Sequence, residues 1–484
     1  MMARGYPPGM DDRRRLLDRT AELAGDFIAG LPDRPVRSTA DLVELRDALG
    51  GPLPDGPSDP LTVIEGLARG ADPGLVATAG PRYFGFVVGG SLPAALAADW
   101  LTSAWDQNTG LYVLSPAAAV AEEVASGWLL DVFGLPQGSS VGFTTGATMA
   151  SFTALAAARH RVLERVGWNV ETDGYVGAPP VAVVVSDESH VTIFVSLQML
   201  GLGRDRVHRV PTDAQGRMRA DALRETLARI DGPTIVCAQS GNVNTGAFDP
   251  LPEIVEAVRE RPNAWLHVDG AFGLWAAAVF ALREHVAGLA GADSWTTDAH
   301  KWLNVPYDSG VVIVKDAAAH HAAMTLGAAY YVETAGGERD NYNWVPESSR
   351  RARGFPVYAA LKSLGRSGLV ELIARCCALA RRMADGLRGA DGVAILNDVV
   401  LNQVLVRFSP PGGDDAATDD FTRRVIAAVQ EDGTCWLGGT TWHGMAAMRI
   451  SVSNWSTTEA DADLSVEAIL RCARAVAAEA AVGA

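Results

Sequence analysis

The sequence predicts an α/β protein: a mostly parallel central sheet buried between helices, with a small α/β unit at the C-terminal end. Two observations carry that reading. From about residue 139 to residue 269, short and fully apolar segments alternate with helix-length ones, the pattern of strands covered on both faces. Beyond residue 356 a long helix leads into a second strand–helix–strand–helix run, enough for a smaller unit.

The elements follow in chain order. Residues 12–30 and 39–49 read as two amphipathic helices separated by a Pro-rich joint, of the kind that often packs on a partner subunit. Residues 117–133 form a helix stopped by Gly134 and Pro136. A short strand at 139–144 runs through Thr145-Gly146 into a helix ending near Arg165. Strands at 181–185, 206–210, 234–239 and 264–269 alternate with helices at 191–200, 220–230 and 251–260. A strand at 311–315 precedes an irregular stretch, 316–352, rich in Gly, Tyr, Asn and Arg. A helix at 356–386 opens the last part, with strands at 401–408 and 447–453 and helices at 418–431 and 458–478. The expected division is an N-terminal helical segment over 1–110, a large unit over 111–355 and a small one over 356–484.

Composition narrows the function. Hydrophobic residues make up 48% of the 484 and charged residues 20%, the balance of a folded chain. The 57 Asp and Glu against 41 Lys and Arg give a formal charge of −16, with no basic tract to meet a nucleic-acid backbone. Five cysteines, none in a CxxC pair, argue against a disulfide framework and against structural zinc, and no metal is expected. Neither a signal-length apolar core at the start nor a membrane-length apolar run is present, so the expectation is a cytoplasmic protein with no membrane partner.

In a parallel sheet, ligands bind at the carboxyl ends of the strands, and four such ends carry candidate chemistry. Lys301 lies between Trp295 and Trp302. A lone Lys is usually a solvated charge, but desolvation between indoles lowers an amine's pKa and suits it to Schiff-base chemistry. Asp269 ends the apolar strand AWLHVD. Such an Asp is most often a turn former, yet a carboxylate in an apolar crevice needs a cation, and a protonated pyridine nitrogen would serve. His190 follows the strand VAVVV, where capping is the default role and stacking on a flat cofactor the alternative. The run Thr144-Thr-Gly-Ala-Thr offers a helix N-terminus as a phosphate cradle, without the spacing of a dinucleotide fingerprint or a P-loop. Together the four specify a phosphorylated pyridine aldehyde.

These residues, with Gly-Pro-Arg-Tyr-Phe-Gly-Phe at 80–86, Ser115-Pro116, Ser189-His190, His-Val-Asp-Gly-Ala at 267–271 and His300-Lys301-Trp302, resemble the group II amino-acid decarboxylases. The resemblance runs from about Pro81 to Trp455 and implies the fold-type I transferase fold, pyridoxal 5′-phosphate as cofactor and a homodimer. It also implies roles. Lys301 carries the cofactor as a Schiff base, Asp269 pairs with its ring nitrogen, His190 stacks on one ring face and Ala271 packs on the other. Ala147, Thr148 and His300 hold the phosphate, and Asn242 stands near the ring in place of a more usual Thr. Tyr342, in the irregular stretch, returns a proton to the substrate, with Tyr330 and Tyr331 as rivals. Phe84 and Phe86 line the side-chain pocket, favouring an apolar or aromatic amino acid.

One departure bears on the cradle. Asp298 stands where the family commonly has Asn, and a carboxylate beside a phosphate dianion is repulsive unless protonated or turned away. The reaction expected from the resemblance is decarboxylation to an amine. The alternatives are a C–C lyase or aldolase, an oxidative aldehyde synthase, which a Phe in place of the Tyr would favour, and a non-catalytic scaffold.

Overall fold

A computed structural model describes residues 10–325 and 338–482. Helices α1 (Met10–Gly30), α2 (Leu42–Leu49), α3 (Pro60–Ala71) and α4 (Pro93–Trp105) come before the first strand. Asp41 opens α2 with a capping box, taking the N–H groups of Val43 and Glu44 while the Glu44 side chain takes its own. Sequence reading missed α3 and α4, although Asp59 before Pro60 is an N-cap followed by Pro at the first helical position. Helix α5 (Pro116–Phe133) ends where predicted, with Gly134 in the left-handed region at φ 63°.

Seven strands form the large sheet among the described residues: β1 (Ser140–Thr144), β2 (Ala182–Ser186), β3 (Val207–Val210), β4 (Thr234–Gln239), β5 (Ala264–Asp269), β6 (Ser294–Asp298) and β7 (Gly310–Val314). Their order is β1-β7-β6-β5-β4-β2-β3. The pairings from β3 across to β6 are all parallel, and β7 runs antiparallel to both β1 and β6. Strand β7 reverses because no crossover helix separates it from β6, and a parallel return needs one.

Between the strands lie α6 (Ala147–Glu164), α7 (Val170–Asp173), α8 (Val191–Met199), α9 (Ala220–Leu227), α10 (Leu251–Arg259) and α11 (Ala317–Met324). Alternate residues of each strand serve opposite layers. Val183, Val185, Ile235 and Trp265 join α6, α8 and α11 on one face, while Val184, Val236 and Leu266 join α5 and α10 on the other. Both faces are therefore buried, which is why these strands read as continuous apolar runs.

Helix α12 (Gly354–Leu387) is broken at Gly365, whose φ of 59° is left-handed. It leads to β8 (Val393–Ile395), β9 (Gln403–Phe408), α13 (Asp415–Asp432), β10 (Gly438–Trp442), β11 (Met445–Ser451) and α14 (Glu459–Val482). The second sheet is antiparallel, in the order β10-β11-β9-β8. Strands β8 and β10 escape the sequence because one has three residues and the other, GGTTW, has no apolar run. Among the described residues no helix is long and apolar enough to cross a membrane. The fold leaves Thr144, Ser186, Gln239, Asp269 and Asp298 at one edge of the large sheet, the carboxyl ends of five strands.

Candidate active site

Lys301 follows β6 in the turn to β7, and its Nζ lies 3.0 Å from Oδ2 of Asp298. The other oxygen of Asp298 accepts the N–H of Ala147, the first residue of α6, at 2.6 Å. His300 sits alongside, its Nε2 3.6 Å from the same carboxylate, its Nδ1 accepting the Ser309 N–H at 3.2 Å. Burial holds the His300 imidazole below the ordinary histidine value against the pull of Asp298. The turn fits only because two glycines meet: a Cβ on Gly310 would stand 2.4 Å from the backbone of Gly146. Gly89 similarly lets the 83–90 segment cross Lys301, whose carbonyl oxygen would be 1.9 Å from a Cβ there.

Asp269 ends β5 nearly buried, and its Oδ1 accepts the Ala271 N–H at 3.0 Å. Ala271 in turn receives the backbone N–H of Asp298 on its carbonyl at 2.8 Å, which ties the two strand ends together. His190 caps α8, with its Nδ1 2.8 Å from the Thr192 hydroxyl and 3.4 Å from the Thr192 N–H. Capping and site membership thus coexist in this residue. Burial holds the His190 imidazole low; Asp269 raises it, and Lys301 and Arg449 lower it further, so these charged groups share one space. Thr148, second in α6, takes the Ser196 hydroxyl on its carbonyl at 3.2 Å.

Three other residues named from the resemblance are buried. Phe84 is 1% exposed in the apolar core, its backbone bonded to Trp436 and Ser451. Asn242 is fully buried; its Oδ1 takes the N–H groups of Asn244 and Thr245 in its own turn, and its Nδ2 is sealed without a partner. Its Nδ2 lies against Gly216. Tyr342 lies in a short 3₁₀ turn, Asn341–Trp344, 3% exposed, with its N–H on the Gly110 carbonyl. Tyr330 and Tyr331 lie outside the described residues. Phe86, in contrast, is 61% exposed, at φ 54°, with its ring 5.4 Å from Trp436.

Sequence reading missed Arg449. It stands on β11 of the small sheet within electrostatic reach of His190, and burial lowers its guanidinium. Its side chain makes no hydrogen bond or ion pair among the described residues. Tyr307 was missed as well: its ring lies 4.4 Å from that of His300, and its phenol is pushed up to about 12 by burial, with Asp298 and Tyr83 adding to it. A cation of the second unit facing the first has no local signal in the chain.

Comparison with known proteins gives the relatives of this chain. Residues 44–409 match the model of the pyridoxal-dependent decarboxylase conserved domain. The chain is 26% identical over 460 residues to an aromatic-L-amino-acid decarboxylase of Bacillus atrophaeus, covering 93% of each. It is 31% identical over 372 residues to an L-2,4-diaminobutyrate decarboxylase of Rhizobium meliloti (strain 1021), covering 75% of this chain and 72% of that one. Its fold superposes on the solved structure of Oryza sativa TDC with PLP and tryptamine at a TM-score of 0.90, with 24% identity over 97% of this chain and 99% of the other.

Proposed function

The chain belongs to the pyridoxal-dependent decarboxylase family, carboxy-lyases that work with pyridoxal 5′-phosphate, and we propose that its substrate is an L-amino acid with an apolar or aromatic side chain. The observation that carries the chemistry is the convergence of His190, Asp269 and Lys301 at the strand ends beside the N-terminus of α6. The residues present fit the cofactor. The α6 N–H groups and His300 suit a phosphate, the Lys301 amine suits its aldehyde, and Asp269, with one N–H on Oδ1, suits a protonated ring nitrogen.

When bound, pyridoxal phosphate supplies an electron sink for the bond that breaks. The chain's own residues do the rest. Ala147, Thr148 and His300 would hold the phosphate, and the Asp269 carboxylate would face the ring nitrogen. Ala271 packs on one face. His190, with Nδ1 engaged by Thr192, would present its Nε2 to the other face and hold a proton there. Lys301 would hold the cofactor's aldehyde through its Nζ. The homodimer is part of the same reading: Trp100, Leu101, Trp105 and Val113 leave apolar surface exposed on one stretch of chain, as an interface would.

Phe86 exposed against Trp436 supports an apolar or aromatic side chain. Arg449 favours a second reading, an acidic one. Holding the carboxylate that leaves would stabilise the ground state and oppose its loss, so an unpaired Arg here is better suited to a carboxylate on the side chain. Both readings are tested by an amino-acid panel with CO2 detection and product mass. Amines from aromatic or aliphatic substrates are expected. Turnover of acidic substrates alone would move the assignment to the second reading, and aldehyde products to the oxidative alternative.

A further inference from the structure

Asp298 ends β6 with 3% of its surface exposed, and three donors converge on it. Ala147 gives Oδ1 a 2.6 Å hydrogen bond, Lys301 Nζ lies 3.0 Å from Oδ2, and His300 Nε2 stands 3.6 Å from Oδ1. Because Nδ1 of His300 accepts from Ser309, the neutral ring carries its proton on Nε2, the nitrogen on the Asp298 side. Helix α6 has no side-chain cap of its own, since its N-cap is Gly146. Asp298 therefore caps α6 from across the sheet, where the helix dipole favours a negative charge.

Two of those donors, the Ala147 N–H and His300 Nε2, are the ones a phosphate in this cradle needs. Among the described residues Lys301 is the only cation that pairs with Asp298, since burial disfavours the charged form of His300, so a second anion arrives with no further charge to balance it. Like charges in a buried site repel far more than in water. Resting on the cofactor reading above, we propose that Asp298 is an internal competitor for the phosphate. It holds the α6 N-terminus and Lys301 until a phosphate-bearing ligand takes the N–H groups from it. Retention of the cofactor is then weaker than the cradle alone would give, and in exchange neither a buried amine nor an uncapped helix is left exposed to the interior.

The test uses the full chain stripped of cofactor, as wild type, Asp298→Asn and Asp298→Ala. Pyridoxal phosphate is titrated by fluorescence quenching, and inorganic phosphate, which cannot react with Lys301, by its effect on the melting temperature. A competitor predicts opposite signs. Asp298→Asn should bind pyridoxal phosphate at least about tenfold more tightly, about 1.4 kcal/mol, and inorganic phosphate should raise its melting temperature more than that of wild type. Without ligand the variant should melt lower. Asp298→Ala, which removes the anion and the cap together, should show the same order. If both variants bind phosphate no better than wild type, Asp298 is a ligand or a strut and the proposal falls. A wild-type chain that takes up no pyridoxal phosphate would overturn the cofactor reading and this proposal with it, whereas normal uptake without tightening in the variants overturns the proposal alone.

Discussion

The guanidinium of Arg350 lies 2.9 Å from the carboxylate of Glu122, with the two side chains only 1% and 5% exposed. Arg350 also donates to the Thr109 hydroxyl at 2.9 Å and to the Phe143 carbonyl at 2.8 Å. The pair thus ties the end of the irregular stretch to α5 and to β1, one residue before the strand end that opens the cradle. Removing one partner of a buried pair leaves the other charge uncompensated, a cost of about 3–5 kcal/mol. Glu122→Gln should therefore lower the unfolding free energy by about that much. Denaturant unfolding measures it, and a loss under about 1 kcal/mol would show that water reaches the pair.

Gly310 sets the shape of the cradle by what it lacks. A Cβ there would come within 2.4 Å of the Gly146 backbone, and backbone cannot move aside as a flexible side chain can. Gly310→Ala should displace the turn before α6 and weaken cofactor retention by at least about tenfold, the size expected when anchoring hydrogen bonds to an anion are misplaced. Equilibrium dialysis with absorbance readout checks this. Unchanged retention would mean that β7 yields and the cradle does not depend on the close approach.

Much of this site was legible because its residues end strands whose apolar runs mark them. Asp269 and His190 each follow such a run, and Lys301 lies between two buried indoles. Phe84 and Phe86 were not separable in sequence. Their spacing puts both on one side of an extended segment, but positive φ at Phe86 and Val87 breaks that alternation, and one ring turns in while the other turns out. Asn242 is placed by an Asx turn through its Oδ1, which leaves its Nδ2 as a buried donor, and that orientation has no signal in the chain. Arg449 was hidden for a different reason: it reaches the cleft from β11 of the other sheet, and pairing between units leaves no periodicity in either.

Acid should destabilise the chain through His267. Burial pushes its imidazole down to about 3, whereas an unfolded histidine titrates near 6.5. Between those values the unfolded chain binds one more proton than the folded one, so this stabilisation is complete above about pH 6.5 and is lost as pH falls. The slope is about 1.4 kcal/mol per pH unit for one proton. His320, also pushed down to about 3 by burial, acts in the same direction, and Asp249, pushed up to about 7 by burial, in the opposite one. Comparison with His267→Gln isolates the single group. Unfolding free energies between pH 6.5 and 4 should fall about 1.4 kcal/mol per unit more steeply in wild type than in the variant, and parallel slopes would show that the ring titrates in the fold.

Tyr342 decides how the proton donor is read. The family resemblance made it the acid, but its N–H is held by Gly110 and its side chain is 3% exposed. The surrounding turn is pinned as well. The Trp344 carbonyl lies 2.8 Å from His320 Nε2, and Arg339 stacks 4.3 Å over the Trp344 ring. A phenol in such a base supports the fold, and removing its hydroxyl should cost about 1 kcal/mol of stability while the amine stays the product. Tyr342→Phe should therefore decarboxylate within a few-fold of wild type, an effect far smaller than the 10²–10⁴ that loss of a general acid brings. Single replacements of Tyr330 and Tyr331 by Phe, followed by amine, aldehyde and CO2 from each variant, complete the comparison. A collapse of amine yield in Tyr342→Phe, with melting temperature unchanged, would return Tyr342 to the proton-transfer step and require the irregular stretch to leave its packed position during turnover.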